Sequence, residues 1–252
     1  MRRGLFISWS ALALLGCPET PPSPPTPPDL GVVPPPQPVT RTATITRIEL
    51  PTPGACADGP AWLKLQPCEL DEVVYAVGQA DLGYNESLAR STAADRARRA
   101  MGVAISDAKA TSVVLKGCEV PYLYQCEKVI YAMAKMPKAG TQKLPACDAT
   151  QVTATLKGSE TCPAWTQRLA YKEGADLVGV GMVEGSRNPS LAERTAQSRA
   201  LSNAGRLLRV EMQLADAVSS AQSRGEGLAE VGREVARCGD IIFVKVTARP
   251  AN

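Results

Sequence analysis

Cysteine is the residue type in this chain best placed to do chemistry, because eight cysteines are present and histidine is absent. Without histidine there is no Ser–His or Cys–His nucleophilic pair, no His-ligated zinc and no ordinary near-neutral general base. Most familiar hydrolase mechanisms are excluded. Seven of the cysteines follow residue 17, and pairing six of seven leaves on the order of a hundred arrangements. Local closure ranks three of them first. Cys118 and Cys126 flank an expected turn through Pro121, Cys56 and Cys68 bracket Pro60-Ala61-Trp62, and Cys147 and Cys162 bracket a join further on, which leaves Cys238 over. Metal binding is the competing use of such residues. No C-x-x-C spacing occurs, so no metal is expected.

The remaining candidates are weaker. Gly179-Val180-Gly181 followed by Gly185 has one residue too many for the G-x-G-x-x-G turn that admits a pyrophosphate, so no cofactor is expected. Gly78 and Gly181 read instead as structural positions. Arg96 and Arg199 are candidate partner-binding residues, each preceded by an acid, Asp81 and Glu184; the alternative is that the arginines cap carbonyls or join Arg90, Arg98 and Arg99 on a solvated helix face. Trp62 and Trp165 could stack on a sugar, or could anchor the loop before each helix by packing on it.

These pairs point to the elements that must position them, since Arg96 and Arg199, like Trp62 and Trp165, stand at one constant offset. Pro60-Ala61-Trp62 recurs as Pro163-Ala164-Trp165, Val77-Gly78 as Val180-Gly181, Asn85 as Asn188, Ser87-Leu88-Ala89 as Ser190-Leu191-Ala192, and Gly102 as Gly205. The chain reads as two homologous copies in tandem. In each, a short apolar run predicts a strand, Val73–Ala80 and Leu177–Val183. Asn85 and Asn188 then suit helix N-caps, with Pro189 in the first turn. Ala89, Ala93, Ala97, Met101, Ala104 and Ala108 form one small-residue stripe, and Ala192, Ala196, Ala200, Ala204 and Leu208 form another. Lys128–Met136 and Asp240–Ala248 predict closing strands. The expected fold class is α+β: two homologous domains, each a small antiparallel or mixed sheet packed on a long alanine-striped helix. Gln151–Leu156 reads as an added strand at the join, and Arg41–Leu50 as a further strand outside the repeat.

The order P-A-W, a valine-glycine strand, N-x-S-L-A-x-x-T-A-x-x-R-A on a helix and a terminal β-run resembles the Lpp-twenty family of bacterial outer-membrane lipoproteins, here as a tandem duplication. The resemblance spans roughly Gly59–Met136 and Cys162–Val246. It implies no catalytic or cofactor residues. The second copy departs from it in the polar, glycine-punctuated stretch between Ala215 and Arg237, which is expected to prolong or break the helix.

The N-terminus agrees with that resemblance. Arg2-Arg3 precede an uncharged run from Gly4 to Leu15, then Gly16 and Cys17, in the layout of a signal peptide. Twelve residues at a 1.5 Å rise reach only ~18 Å, too short to span the bilayer. Leu14-Leu15-Gly16-Cys17 is similar to the lipobox of bacterial lipoproteins, which implies cleavage before Cys17 and acylation of it; the other reading is a plain secretory signal. Several acyl chains, at ~0.8 kcal/mol per buried methylene, make a firm membrane attachment. Pro18, in place of an Asp that would retain a lipoprotein at the inner membrane, favours the outer membrane. Eleven prolines between Pro18 and Pro38 favour polyproline II, a semi-rigid stalk of up to ~65 Å; a proline-rich ligand motif is the alternative.

The expected organisation is a signal peptide at 1–16, lipidated Cys17 and stalk at 17–40, a first repeat domain at 41–145 and a second at 146–252. Loss of Arg2 and Arg3 lowers the formal charge from +3 to about +1, which argues against a nucleic-acid partner. Expected partners are membrane lipid through Cys17 and an envelope protein or cell-wall component. The expected function is non-enzymatic binding or scaffolding in the cell envelope, with a peptidoglycan- or glycan-binding module as the alternative.

Overall fold

The computed structural model describes residues 56, 59–106, 110–139, 142–153, 156, 162–185, 187–214 and 227–251. The signal peptide, Cys17, the stalk, the Arg41–Leu50 strand and Ala108 lie outside the described residues. The described residues belong to one compact unit.

Strand β1 (Cys68–Leu70) pairs with β2 (Val73–Asp81), and Asn85 then caps helix α1 (Glu86–Ile105) by accepting the Leu88 amide at 2.9 Å. β3 (Ser112–Leu115), β4 (Glu119–Cys126) and β5 (Val129–Pro137) follow. A single helical turn, α2 (Ala149–Val152), occupies the join. The chain then repeats the order: β6 (Ala170–Glu173), β7 (Asp176–Glu184), α3 (Pro189–Leu208), β8 (Val210–Gln213), β9 (Leu228–Cys238) and β10 (Ile241–Pro250). Asn188 caps α3 through the Leu191 amide, with Pro189 in the first turn where its missing N–H costs nothing.

The expected pair of domains, each with its own small sheet, is overturned by the topology. One eight-stranded antiparallel sheet runs β1-β2-β5-β4-β6-β7-β10-β9. The first four strands and the last four follow the same spatial order and meet where β4 pairs with β6 at Val120 and Ala170. A second connection crosses the same boundary, because β3 and β8 pair antiparallel from Ser112–Gln213 to Leu115–Val210. Each strand set ends on an edge that the other half can pair, so the halves share a sheet instead of closing two.

The alternation of the strands decides which face each side chain takes. Val74, Ala76 and Ala80 face α1 and bury against Ala89, Ala93, Ala97 and Met101. Glycine is required on that face where helix backbone comes closest. A Cβ at Gly78 would overlap Ala93 O and Ala97 N, and one at Gly181 would overlap Ala196 O and Ala200 N. Gly179 is equally constrained by Ala200 O and Ala204 N, which the sequence reading assigned only to Gly78 and Gly181.

Several local expectations are corrected. Leu208 is 40% exposed and Leu207, at 1%, carries the end of the second stripe. Steps of four residues drift around a 3.6-residue helix, so the stripe must shorten one step to three. The described residues of Gln151–Leu156 form no added strand: Gln151 and Val152 belong to α2, where the Asp148 carboxylate accepts the Thr150 amide at 2.8 Å. The polar stretch ending at Arg237 does not prolong α3. From Leu228 onward it is β9, a long edge strand paired along β10.

Candidate functional site

The cysteines form three disulfides among the described residues, none of them local: Cys56–Cys126, Cys68–Cys147 and Cys162–Cys238. Cys118 is the free, buried thiol, and Cys238, expected to be left over, is bonded. Cys118 and Cys126 cannot pair because Glu119–Cys126 is a strand, not a turn, and eight residues at ~3.3 Å separate the two by ~26 Å. The chain reverses after Cys126 instead, at Glu127 with φ 51°. Cys68 and Cys147 meet because the join runs beside β1, with the Glu69 amide donating to Pro145 O and the Cys147 amide to Glu69 O. Cys56–Cys126 and Cys162–Cys238 take matching places in the two halves. Each ties the segment before a Pro-Ala-Trp turn to the end of the strand that precedes the closing one.

The two tryptophans do not pack on the long helices α1 and α3. Trp62, 1% exposed, lies on the opposite face of the sheet with Leu63, Leu65, Val77 and Met133. Trp165 is half-buried there with Tyr171, Val180 and Phe243, meeting the Phe243 ring edge-on at 6.5 Å.

Arg96 and Arg199 do cap carbonyls. Arg96 Nη1 donates to Gln79 O at 2.8 Å, and Arg199 Nη1 donates to Met182 O at 2.6 Å, on strand stretches that extend past the short partners β1 and β6. Neither arginine is held by the acid expected beside it. Glu184 instead accepts the Ser87 amide at 3.2 Å, from the other half of the molecule. Arg96 and Arg199 are exposed as well, whereas Arg90, Arg98 and Arg99 are not on a solvated face. Arg90 bonds Glu86 and Thr166 O and lies 5.1 Å from the Phe243 ring centre, Arg99 Nη2 donates to Leu214 O, and Arg98 is fully buried.

These bridges frame a cleft of about 320 Å³ where the start of α1 meets β7 and α3. It is lined by polar Ser87, Ser91, Arg199, Asn203 and Arg206 and by apolar Leu88 and Leu169, and β7 borders it at Val180–Met182. Arg199 Nη1 also bonds Ser87 Oγ at 3.0 Å, and Asn203 Nδ2 donates to Val180 O at 2.8 Å. Behind the cleft, Asp95 Oδ1 is shared by Arg98 Nη1 at 2.9 Å and Arg206 Nη1 at 3.4 Å. The Nε of Arg206 and both Nε and Nη2 of Arg98 are buried without a hydrogen-bond partner. Burial pulls the Arg206 guanidinium below the usual arginine value, with Asp95 opposing the shift and Arg98 adding to it.

Sequence reasoning found Arg199 but missed Arg206, Asp95 and Arg98. One signal was available: Asp95 and Arg98 stand three apart on the side of α1 next to its alanine stripe, where an i,i+3 ion pair can enter the interior. Among the described residues no cluster of three potential metal ligands occurs. No family model, curated protein or solved structure matches this chain.

Proposed function

We propose that the mature chain is a lipid-anchored protein of the bacterial outer membrane, similar to a tandem duplication of Lpp-twenty lipoproteins, whose body binds or scaffolds another envelope component without catalysis. The observation that carries this reading is Leu14-Leu15-Gly16-Cys17 after a charged start and a short apolar run. The three disulfides support it, since such bonds persist in oxidising compartments outside the cytosol. A peptidoglycan- or glycan-binding module is the second reading. Trp62 offers no face to a sugar, so that reading rests on Trp165 and the reach of the stalk.

Replacing Cys17 with Ala tests the anchor. The variant is expected to leave the membrane fraction or to remain unprocessed. A variant that is still cleaved and still fractionates with membranes removes the lipoprotein reading. Co-sedimentation of the full chain with isolated cell wall then separates the two partner classes, because only the second reading expects the wall alone to retain it.

A further inference from the structure

We infer that the cleft between α1, β7 and α3 is a binding site for a small organic monoanion: one carboxylate on a short apolar body, as at the C-terminus of a peptide. The inference does not depend on where the protein is anchored. It starts from charge. Arg199 and Arg206 line the cleft, Arg98 shares Asp95 with Arg206 behind it, and Arg90, paired with Glu86 at 2.9 Å, stands beside Glu184, which accepts the Ser87 amide at its rim. Among these groups four guanidiniums stand against three carboxylates, Glu86, Asp95 and Glu184, which leaves one positive charge.

Hydrogen bonding leads to the same place. A buried N–H on a charged group without a partner loses its hydration with nothing in return, and interiors rarely leave such groups unpaired. Arg206 lines the cleft and keeps its Nε in that condition, and its contact with Asp95 is long, at 3.4 Å. A carboxylate accepts in the plane of a guanidinium fork, and a single negative charge balances the excess. A dianionic phosphate would overshoot it. Leu88 and Leu169, which also line the cleft, give the rest of the ligand an apolar surface, and the volume is that of a small-molecule pocket.

The probe is N-acetyl-dialanine titrated into the full chain by calorimetry, with its C-terminal amide and inorganic phosphate as comparisons. Saturable binding of the acid is expected, with the amide at least ~10-fold weaker because only the acid makes charge-assisted bonds. Arg199→Gln should weaken the acid by a similar factor. Since that change also removes the cap on Met182 O, a second pair guards against misfolding. Leu88 is 65% exposed at the rim, so Leu88→Glu and Leu88→Lys leave the interior untouched and should weaken and strengthen the acid respectively. Equal binding of acid and amide, no saturable binding of the acid up to about 10 mM, binding of phosphate without the acid, or indifference to the charge at position 88 would each overturn the proposal.

Discussion

Cys118 shows how one side chain's surroundings decide its chemistry. Among the described residues it is the free thiol, yet it is buried between Met101, whose sulfur lies 3.8 Å away, and Arg98. Burial pushes its pKa up to about 11, against the pull of Arg98. A thiol held in its protonated form is a poor nucleophile, so Cys118 is not a reactive site at neutral pH. In the unfolded chain a cysteine loses its proton near ~8.5. Between that value and about 11 the folded state holds a proton that the unfolded state has released, so stability falls as pH rises through this window. Denaturant titrations should show the decline, and Cys118→Ala should flatten it relative to the parent. Iodoacetamide at pH 8 should label Cys118 only after unfolding. Rapid labelling of the native chain would contradict this account.

At the scale of elements, the sequence was most readable where periodicity and caps coincide. Strands β2 and β7, closing strands β5 and β10, and both asparagine caps lie where the pattern put them, to within a residue or two. The disulfides were unreadable for a physical reason. Cysteine pairing follows strand order, and no local pattern encodes that β4 stands beside β5 with its far end near residue 56. The same gap hid the cleft, whose Ser87, Arg199 and Arg206 come together only through strand order. The observed pairs close loops of 70, 79 and 76 residues, each worth about 4 kcal/mol in the chain-entropy model. Peptide mapping without reductant should recover Cys56 with Cys126, Cys68 with Cys147 and Cys162 with Cys238. Replacing both members of one pair with Ala should lower stability by about 2–5 kcal/mol, and recovery of a peptide linking Cys118 to Cys126 would refute the strand assignment of β4.

The whole molecule is held together by a seam that looks thin in hydrogen bonds and substantial in packing. Along the main sheet the halves share one strand-to-strand match, Val120 with Ala170, and beyond it four residues each of β3 and β8. Yet Leu169, Val210 and Met212, all from the second half, are buried in the same cluster as Val74, Ala93 and Met101 of the first. Burying a large apolar side chain stabilises by about 1.5–3 kcal/mol, so these three outweigh the few ladder bonds. Each half alone would be a chain of about 100 residues, a size at which the buried fraction of surface is small, and the first would lose part of its interior with the second. The intact body should therefore unfold in one transition. Met212→Ala, a change in the second half facing the first, should cost about 2–5 kcal/mol and move that whole transition down by roughly 2–4 °C per kcal/mol. Calorimetry distinguishes this from independent halves: if Met212→Ala splits the melt and leaves one component at the parent temperature, or if fragments 41–144 and 145–252 separately reproduce the intact melt, the two halves do not share a core.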